Sequence, residues 1–250
     1  MSTSVGASGG VHAVRKKAEA GVKGKMTQLV TELDPRSVVS EAYRILNTNL
    51  SFKNIDGKFK FIAVTSSLPG EGKSTTAANL AVTLAQGGKR VILVDADLRK
   101  PTQHKIFGLN VFEGLTNALV EGTDPLSLCK SYNNAAISIL TAGTLPPNSS
   151  ELLASSRMKV TLERLGGAAD FVVLDCPPVL GLNDVLAVAP SIDGILLVVG
   201  SGRVPKQAVQ LAKGQLDKIG AKVIGAILNG MNAKDQSSYY YYSYYGKGGY

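Results

Sequence analysis

A phosphate-binding loop (P-loop) is indicated by one run of residues, Ser67-Leu68-Pro69-Gly70-Glu71-Gly72-Lys73-Ser74-Thr75. Its glycines let backbone N–H groups curve around phosphate oxygens, and the start of a following helix adds positive potential. Lys73 is placed to reach the β- and γ-phosphates of a nucleotide, and the Ser74 hydroxyl to bind Mg²⁺. Ser67 stands where the common pattern has its first glycine. We expect a nucleotide to contact Gly70, Glu71, Gly72, Lys73, Ser74 and Thr75; the alternative is a tight glycine-rich turn.

Two carboxylates follow a second apolar run. Val91–Val94 leads into Asp95 and Asp97, whose side chains lie on the same side of an extended chain. Such neighbours repel each other unless a cation or a proton lies nearby. A magnesium nucleotide would let one carboxylate bind metal and the other accept a proton. The alternative is a charged loop in which Asp97 and Arg99 form a surface ion pair.

A third apolar run, Phe171–Leu174, ends at Asp175. An aspartate at the tip of a buried strand beside a P-loop is the Walker B arrangement, which holds Mg²⁺ directly or through water. We therefore expect Asp175 and Ser74 to lie at one magnesium site.

Strand and helix patterns alternate around these residues. Apolar runs predict strands at Phe59–Thr65, Val91–Val94, Ile137–Thr141, Phe171–Leu174, Gly194–Val199 and Val223–Leu228. Helical spacing predicts helices at Arg36–Phe52, Ser74–Gln86, Glu151–Leu165 and Lys206–Ile219. This alternation predicts an α/β fold with a mostly parallel sheet flanked by helices on both faces. Ligands of such sheets bind beyond the carboxyl ends of the strands.

Composition limits the remaining possibilities. The 250 residues, 44% of them hydrophobic, are enough for one large domain with tails. The net charge of +8 suggests either an anionic partner or simply a basic, soluble protein. The two cysteines, Cys129 and Cys176, form no metal-binding pattern. Because no signal peptide and no apolar run of about 18–20 residues is present, we expect a cytoplasmic protein.

Both ends of the chain differ in composition from its middle. Residues 1–34 are rich in small and basic residues, which predicts a disordered arm before a domain of residues 35–230. Residues 231–250 contain seven of the nine tyrosines and fit no buried periodicity, so we expect a flexible tail. Such a cluster of phenols is either an adhesive end or a set of acceptors, namely Tyr239, Tyr240, Tyr241, Tyr242, Tyr244, Tyr245 and Tyr250.

Together these motifs resemble those of the bacterial tyrosine kinases, the cytoplasmic kinases of capsule and exopolysaccharide export. The resemblance rests on the P-loop, on the Walker A′ motif Ile92–Arg99 and on Leu174-Asp175-Cys176-Pro177-Pro178. Pro146–Leu153 is similar to the PPNPSELL stretch of that family, and the tyrosine-rich end is its most distinctive mark. The resemblance covers about residues 35–250.

The resemblance implies the P-loop fold of the MinD/ParA-like clan and a protein-tyrosine kinase that uses ATP and Mg²⁺. Lys73, Asp95 and Asp97 would be catalytic, with Asp95 as the base or orienting group for the incoming phenol. The magnesium shell would be formed by Ser74, Asp97 and Asp175. Asn229 would contact adenine.

The resemblance also implies self-association. Glu41 and Arg44 match the start of the E-x-x-R-x-x-R motif for ring assembly, and Asn47 replaces its last arginine. We therefore expect the helix of residues 36–52 to join subunits. Within such an oligomer, the tail of one subunit would be phosphorylated by another.

The family further implies a separate membrane-anchored activator of the polysaccharide co-polymerase type, which would recruit the chain to the inner face of the plasma membrane. Other protein substrates are possible, and nucleic acid is not expected because no recognition motif is present. The alternatives are a MinD/ParA-like ATPase switch without kinase activity and a non-catalytic nucleotide-binding scaffold. Leu68 stands where such switches commonly carry a second lysine, and a switch does not need the tyrosines.

Overall fold

Seven strands form the centre of the structure, a computed structural model that describes residues 29–54, 57–132 and 136–231. They are β1 (Phe61–Ser66), β2 (Val91–Asp95), β3 (Lys130–Tyr132), β4 (Ile137–Leu140), β5 (Phe171–Asp175), β6 (Gly194–Gly200) and β7 (Val223–Asn229). All belong to one sheet, in the order β3-β4-β2-β5-β1-β6-β7. β3 pairs antiparallel with β4, and the other neighbouring strands are parallel.

Helices cover both faces of this sheet. Those in the described residues are α1 (Val30–Leu33), α2 (Val38–Lys53), α3 (Lys73–Gln86), α4 (Gln103–Phe107), α5 (Leu115–Val120), α6 (Pro125–Leu128), α7 (Ser149–Leu153), α8 (Ser156–Ala168), α9 (Asp184–Val188) and α10 (Lys206–Lys218). None of them is both long and apolar enough to cross a membrane.

The central strands carry apolar side chains almost throughout because both of their faces are buried. On one face, Leu174 of β5 packs in a cluster with Leu162 and Leu165 of α8. On the other face, Val64 of β1 packs in a cluster with Leu80 of α3. The predicted α/β architecture with a mostly parallel sheet is therefore confirmed.

The order of the strands brings the predicted site residues to one edge. β5 lies between β1 and β2, and Asp175 is in register with Asp95 on one side and Val64 on the other. Because these strands are parallel, their carboxyl ends meet at the same edge of the sheet. The P-loop follows β1, so it lies beside both carboxylates.

Some elements differ from the sequence-based expectation. Instead of one helix over Glu151–Leu165, the chain forms α7 and α8, because Ser155 has an extended backbone and its side chain accepts a hydrogen bond from the Met158 N–H. A serine in this position caps the start of a new helix. The edge strand β3 and the short helices α4, α5, α6 and α9 were not expected, because such short elements show little periodicity.

The predicted disordered arm ends earlier than residue 34. Leu29 to Asp34 are described, and they contain α1, which packs against α2 and α3. Leu29 is 4% exposed, and the Thr31 hydroxyl donates to Asn79 Oδ1 of α3 at 3.1 Å. Burial of Leu29 and this contact hold the segment against the helix that begins in the P-loop. The rest of the predicted arm lies outside the described residues.

Replacing Leu29 with alanine should lower the free energy of unfolding by about 2 kcal/mol, because buried packing is lost. Leu33 in the same helix is 43% exposed, so Leu33→Ala should change that free energy by less than about 0.5 kcal/mol. Urea denaturation of both variants measures the difference. A loss of unfolding free energy in Leu29→Ala as small as that in Leu33→Ala would show that burial of Leu29 does not stabilise the fold.

Candidate active site

The P-loop joins β1 to α3 and depends on two glycines in left-handed conformations. Gly70 has φ of 83° and Gly72 has φ of 93°, a region that side chains disfavour. A Cβ on Gly72 would also lie 2.1 Å from Asn229 Nδ2. Gly72 is the residue before α3, a helix of 14 residues. The N–H groups in the first turn of this helix point towards the loop and have no partner within the helix. The loop therefore has the backbone geometry that phosphate binding requires.

Hydrogen bonds to Glu71 stabilise the conformation of the P-loop. The Glu71 carboxylate accepts hydrogen bonds from the Ser67 hydroxyl at 2.6 Å, the Leu68 N–H at 2.6 Å and the Gly200 N–H of β6 at 2.9 Å. Asn229 Nδ2 donates to the Glu71 carbonyl at 2.8 Å. The Glu71 side chain is thus buried in the protein, and any contact of this residue with a nucleotide would come from its backbone.

Lys73 ties the P-loop to two of the predicted carboxylates. Its Nζ lies 2.7 Å from Asp97 Oδ2 and 3.5 Å from Asp175 Oδ1. It also donates to Ser74 Oγ at 3.2 Å. Burial alone would lower the pKa of Lys73, but Asp175 and Asp97 outweigh it and raise that pKa, so the side chain stays charged.

Asp95 lies beneath this group and is fully buried. Its Oδ2 accepts hydrogen bonds at 2.9 Å from the N–H groups of Thr102 and Gln103, at the start of α4. Its Oδ1 has no hydrogen-bond partner in the described part of the chain. Burial raises the pKa of Asp95 to about 8, and the carboxylate of Asp175 adds to the rise, although the two backbone hydrogen bonds oppose it.

Charge balance explains which carboxylate holds a proton. Three buried carboxylates, those of Asp95, Asp97 and Asp175, lie near one ammonium, that of Lys73. Burial also raises the pKa of Asp175, while Lys73 acts in the opposite direction. Asp95 has no cation within salt-bridge distance among the described residues. Burial and the lack of a paired cation therefore favour the protonated form of Asp95 near neutral pH.

A cleft of about 580 Å³ opens above these residues. Six predicted nucleotide or metal residues line it, namely Gly70, Gly72, Lys73, Ser74, Thr75 and Asp97. The rest of its wall consists of Pro69, Arg99, Lys100, Thr102, Pro178, Leu180, Gly181 and Leu182. The side chains of Glu71, Asp95, Asp175 and Asn229 are not part of this wall.

Sequence reasoning missed two polar residues at the site. Gln103 Nε2 donates to Asp175 Oδ2 at 2.8 Å and to the Ser74 carbonyl at 3.0 Å, so it links the Walker B carboxylate to the P-loop. Asp184 forms the ion pair with Arg99, at 2.9 Å. The alternative of a surface pair between Asp97 and Arg99 is therefore wrong. No local motif marks Gln103 or Asp184, because the fold alone brings them to the site.

The predicted oligomerisation residues lie on α2, away from the cleft. Arg44 Nη1 is 2.5 Å from Glu41 Oε2, and both side chains are about half exposed. Asn47 does not continue this row, because its amide nitrogen faces α3, 3.5 Å from the Thr83 carbonyl. Large apolar side chains of α2 are exposed on the same helix, namely Val38, Val39, Ile45 and Phe52. The tyrosines of the tail, Tyr239 to Tyr250, lie outside the described residues.

Comparison with known proteins identifies the family. The ParA family model, described as NUBPL iron-transfer P-loop NTPase, matches residues 58–250. The tyrosine-protein kinase YwqD of Bacillus subtilis is 42% identical over 214 residues, which cover 86% of this chain and 90% of YwqD.

Solved structures agree with that assignment. The chimerical protein CapA2B2 superimposes with a TM-score of 0.78 at 36% identity, over 82% of this chain and 91% of the chimera. The kinase domain of Escherichia coli tyrosine kinase ETK also gives 0.78, at 31% identity, over 81% and 80% of the two chains.

The fold is that of a ParA-like P-loop NTPase. Within that class, the chain belongs to the bacterial tyrosine-protein kinases. The family and the enzyme class expected from the motifs are thereby confirmed.

Replacing Asp95 with asparagine should make the protein more resistant to unfolding at alkaline pH. The pKa of this carboxyl is about 8 in the folded protein and about 4 in the unfolded chain. The folded state therefore binds its proton more tightly, and the wild type loses stability as the pH rises from about 4 to about 8. We expect the free energy of unfolding of Asp95→Asn, measured by urea denaturation, to increase relative to that of the wild type as the pH rises over that range.

Asp170→Asn is the matched control, since Arg90 lies 2.8 Å from Asp170 and lowers the pKa of that exposed carboxyl. Its contribution has the opposite sign, because it is present above the unfolded pKa and is lost as the pH falls. A constant difference between Asp95→Asn and wild type from pH 4 to pH 8 would contradict the raised pKa.

Proposed function

We propose that this kinase transfers phosphate from ATP to the tyrosine cluster at its own C-terminal end, in trans between subunits. Through this reaction it would regulate the synthesis and export of a capsular polysaccharide or exopolysaccharide. The observation that supports this most is the group of Lys73, Asp97 and Asp175 beside the P-loop, in a chain whose last residues are tyrosines. A nucleotide switch needs the first feature but has no use for the second.

The reaction is a phosphoryl transfer to a phenol. The phenolic oxygen attacks the γ-phosphorus of ATP, the bond from that phosphorus to the β,γ-bridging oxygen breaks, and ADP leaves with the bonding electrons. We assign to Lys73 and to the N–H groups of the P-loop the binding of the phosphate oxygens. Asn229 is our proposal for the adenine contact, through its side-chain oxygen.

Asp95 is our proposed acceptor of the phenolic proton. With a pKa of about 8, Asp95 is mostly protonated near neutral pH, so it would act as a base once the Mg²⁺ ion of the bound nucleotide complex had favoured loss of that proton. Asp95 does not line the cleft in this structure, but catalytic hydrogen bonds often form only once substrates are bound. The assignment therefore requires that the Walker A′ segment move when ATP and tyrosine enter.

The residues present fit a magnesium ion. Asp175 Oδ1 is buried and has no hydrogen-bond partner among the described residues, while Asp97 and Ser74 line the cleft. Magnesium prefers such carboxylate and hydroxyl oxygens. We assign Ser74, Asp97 and Asp175 to its shell, where the bound ion would neutralise charge on the phosphates.

Lys73→Met should abolish phosphorylation of the tail, because the phosphates lose their side-chain cation. Wild type and variant are incubated with Mg-ATP, and the C-terminal peptide is analysed by mass spectrometry. Phosphotyrosine should appear only in the wild type, and circular dichroism of the variant controls for folding, since Asp97 and Asp175 lose their partner. An unphosphorylated wild-type tail, even with a membrane partner's cytosolic segment added, would leave the switch as the better explanation.

A mixture of subunits separates transfer in trans from transfer in cis. Lys73→Met subunits with intact tails supply only acceptors, and active subunits truncated after residue 231 supply only active sites. Tyr239 lies nine positions after Gly230, a length of about 30 Å when extended, which would let the tail enter the cleft of a neighbouring subunit. Phosphotyrosine in the mixture supports the proposal, whereas its absence together with phosphorylation of the intact wild type supports transfer in cis.

We also propose that the subunits assemble through α2 into a ring. Its exposed apolar side chains and the Glu41–Arg44 pair provide both apolar contact and charge for a subunit interface. Each phosphate would add about −1.5 to −2 charges to the tail at neutral pH, which opposes close packing of tails. The ring would therefore form before phosphorylation and come apart after it.

Arg44→Glu and Val39→Asp should each reduce the mass of the assembly measured by light scattering. The first replaces an ion pair by two like charges, and the second puts a charge on the apolar surface. Lys213→Glu, on the exposed surface of α10, is the control and should leave the mass unchanged. An assembly of unchanged mass in both α2 variants would exclude this helix as the interface.

Partners and location follow from the family and remain proposals. A separate membrane-anchored activator of the polysaccharide co-polymerase type would recruit this cytoplasmic kinase to the inner face of the plasma membrane. The fit to the chimerical protein CapA2B2 supports a kinase of this kind. Other proteins are possible substrates, and we expect no nucleic-acid partner.

A further inference from the structure

Asp184 is a buried carboxylate outside the predicted site. It is the first residue of α9, after the loop that follows β5, and its side chain is fully buried. Three residues donate to it: Arg99 through Nε at 2.9 Å and Nη2 at 3.0 Å, Ser149 through its hydroxyl at 2.9 Å, and Ser150 through its hydroxyl. This is a complete set of partners for one carboxylate.

The partners keep Asp184 charged. Burial alone would raise the pKa of this carboxyl, but the hydrogen bonds from Arg99, Ser150 and Ser149 outweigh burial and lower the pKa. A buried charge held in this way fixes the position of its partners, because removing either side leaves the other unpaired. Asp184 therefore fixes the orientation of the Arg99 guanidinium.

Arg99 presents its other side to the cleft. It lines the same cleft as Lys73, and its side chain is 44% exposed. A guanidinium has five N–H donors; Asp184 takes two, and Ser150 lies 3.4 Å from Nη2. No acceptor in the described part of the chain bonds to Nη1, so its two N–H donors are left for a ligand. A planar fork of this kind suits phosphate oxygens better than a lysine does.

The backbone of the Walker A′ segment couples the two cations. Asp97, which pairs with Lys73, also accepts hydrogen bonds from the N–H groups of Arg99 and Lys100 at 3.3 Å and 2.9 Å. Asp97 of this segment thus holds Lys73, while Arg99 of the same segment is held by Asp184. Ser149 and Ser150 belong to the Pro146–Leu153 stretch, which the proposed reaction otherwise leaves without a role.

We propose that Asp184, with Ser149 and Ser150, is a positioning residue that holds Arg99 against the phosphoryl group during its transfer to tyrosine. This assignment rests on the proposed function. Arg99 is the group that touches the phosphoryl oxygens, and its charge stabilises the transition state more than bound ATP. The Pro146–Leu153 stretch then acts at the active site through Asp184.

The test compares Asp184→Asn, Arg99→Met and the double variant as full-length chains. Transfer from Mg-ATP to a synthetic peptide of the tail is measured as kcat and KM. We expect each single variant to lower kcat by about 100-fold, because one transition-state contact is lost. The KM for ATP and the KM for the peptide should change little. If Asp184 acts through Arg99, the double variant should be no slower than Arg99→Met.

Binding provides a readout without turnover. In a complex of ADP, aluminium fluoride and Mg²⁺, the aluminium fluoride imitates the phosphoryl group during its transfer. ADP alone has no group in that position. Asp184→Asn should weaken binding of the fluoride complex at least tenfold and leave ADP affinity unchanged. Asp170→Asn removes the carboxylate of another arginine pair, Arg90–Asp170, at the opposite end of β5, and should change neither quantity.

Each outcome decides the assignment. The assignment would be overturned if the losses of kcat in the two single variants multiplied in the double variant, or if KM rose without a fall in kcat. It would also be overturned if the affinities for ADP and for the fluoride complex fell equally. If the wild type phosphorylates its tail peptide while Asp184→Asn does so equally well, only this assignment fails. If the wild type transfers no phosphate, the proposed function fails with it.

Discussion

One lysine shared by buried carboxylates sets the chemistry of this protein. Lys73 reaches Asp97 and Asp175 from the start of α3, and Asp95 lies beneath them with no cation at salt-bridge distance in the described part of the chain. The carboxylates therefore repel one another, and the group tolerates them only while a proton or a second cation compensates. A site built in this way favours a divalent cation such as the Mg²⁺ ion of a nucleotide complex, which would supply positive charge beside the carboxylates.

The sheet makes this grouping possible. Asp95, Asp175 and the P-loop are far apart in sequence, and they meet only because β2, β5 and β1 are neighbours in that order. Parallel pairing then places their carboxyl ends at one edge. Helices on both faces keep water away from the strands, so the charges above them act in a poorly screened environment.

The sequence predicts much of this arrangement because the P-loop and the strand-end aspartates are local patterns. Their strands are long apolar runs, which periodicity identifies well. Gln103, Asp184 and the inward turn of Glu71 could not be predicted, because each depends on contacts between distant segments. The folding of Leu29–Asp34 was missed because six residues are too few to show a clear helical period, and the segment packs against α2 and against α3, which is distant from it in the sequence.

The contact of Asn229 with the P-loop has a mechanical consequence. Asn229 ends β7, only two residues before the described chain ends at Met231, and it donates to the carbonyl of Glu71. The strand that precedes the tyrosine-bearing segment is thereby linked to the P-loop, to which we assign the binding of the donor phosphate. A displacement of β7 would therefore be passed to the P-loop, and a shift of the P-loop would be passed back to β7.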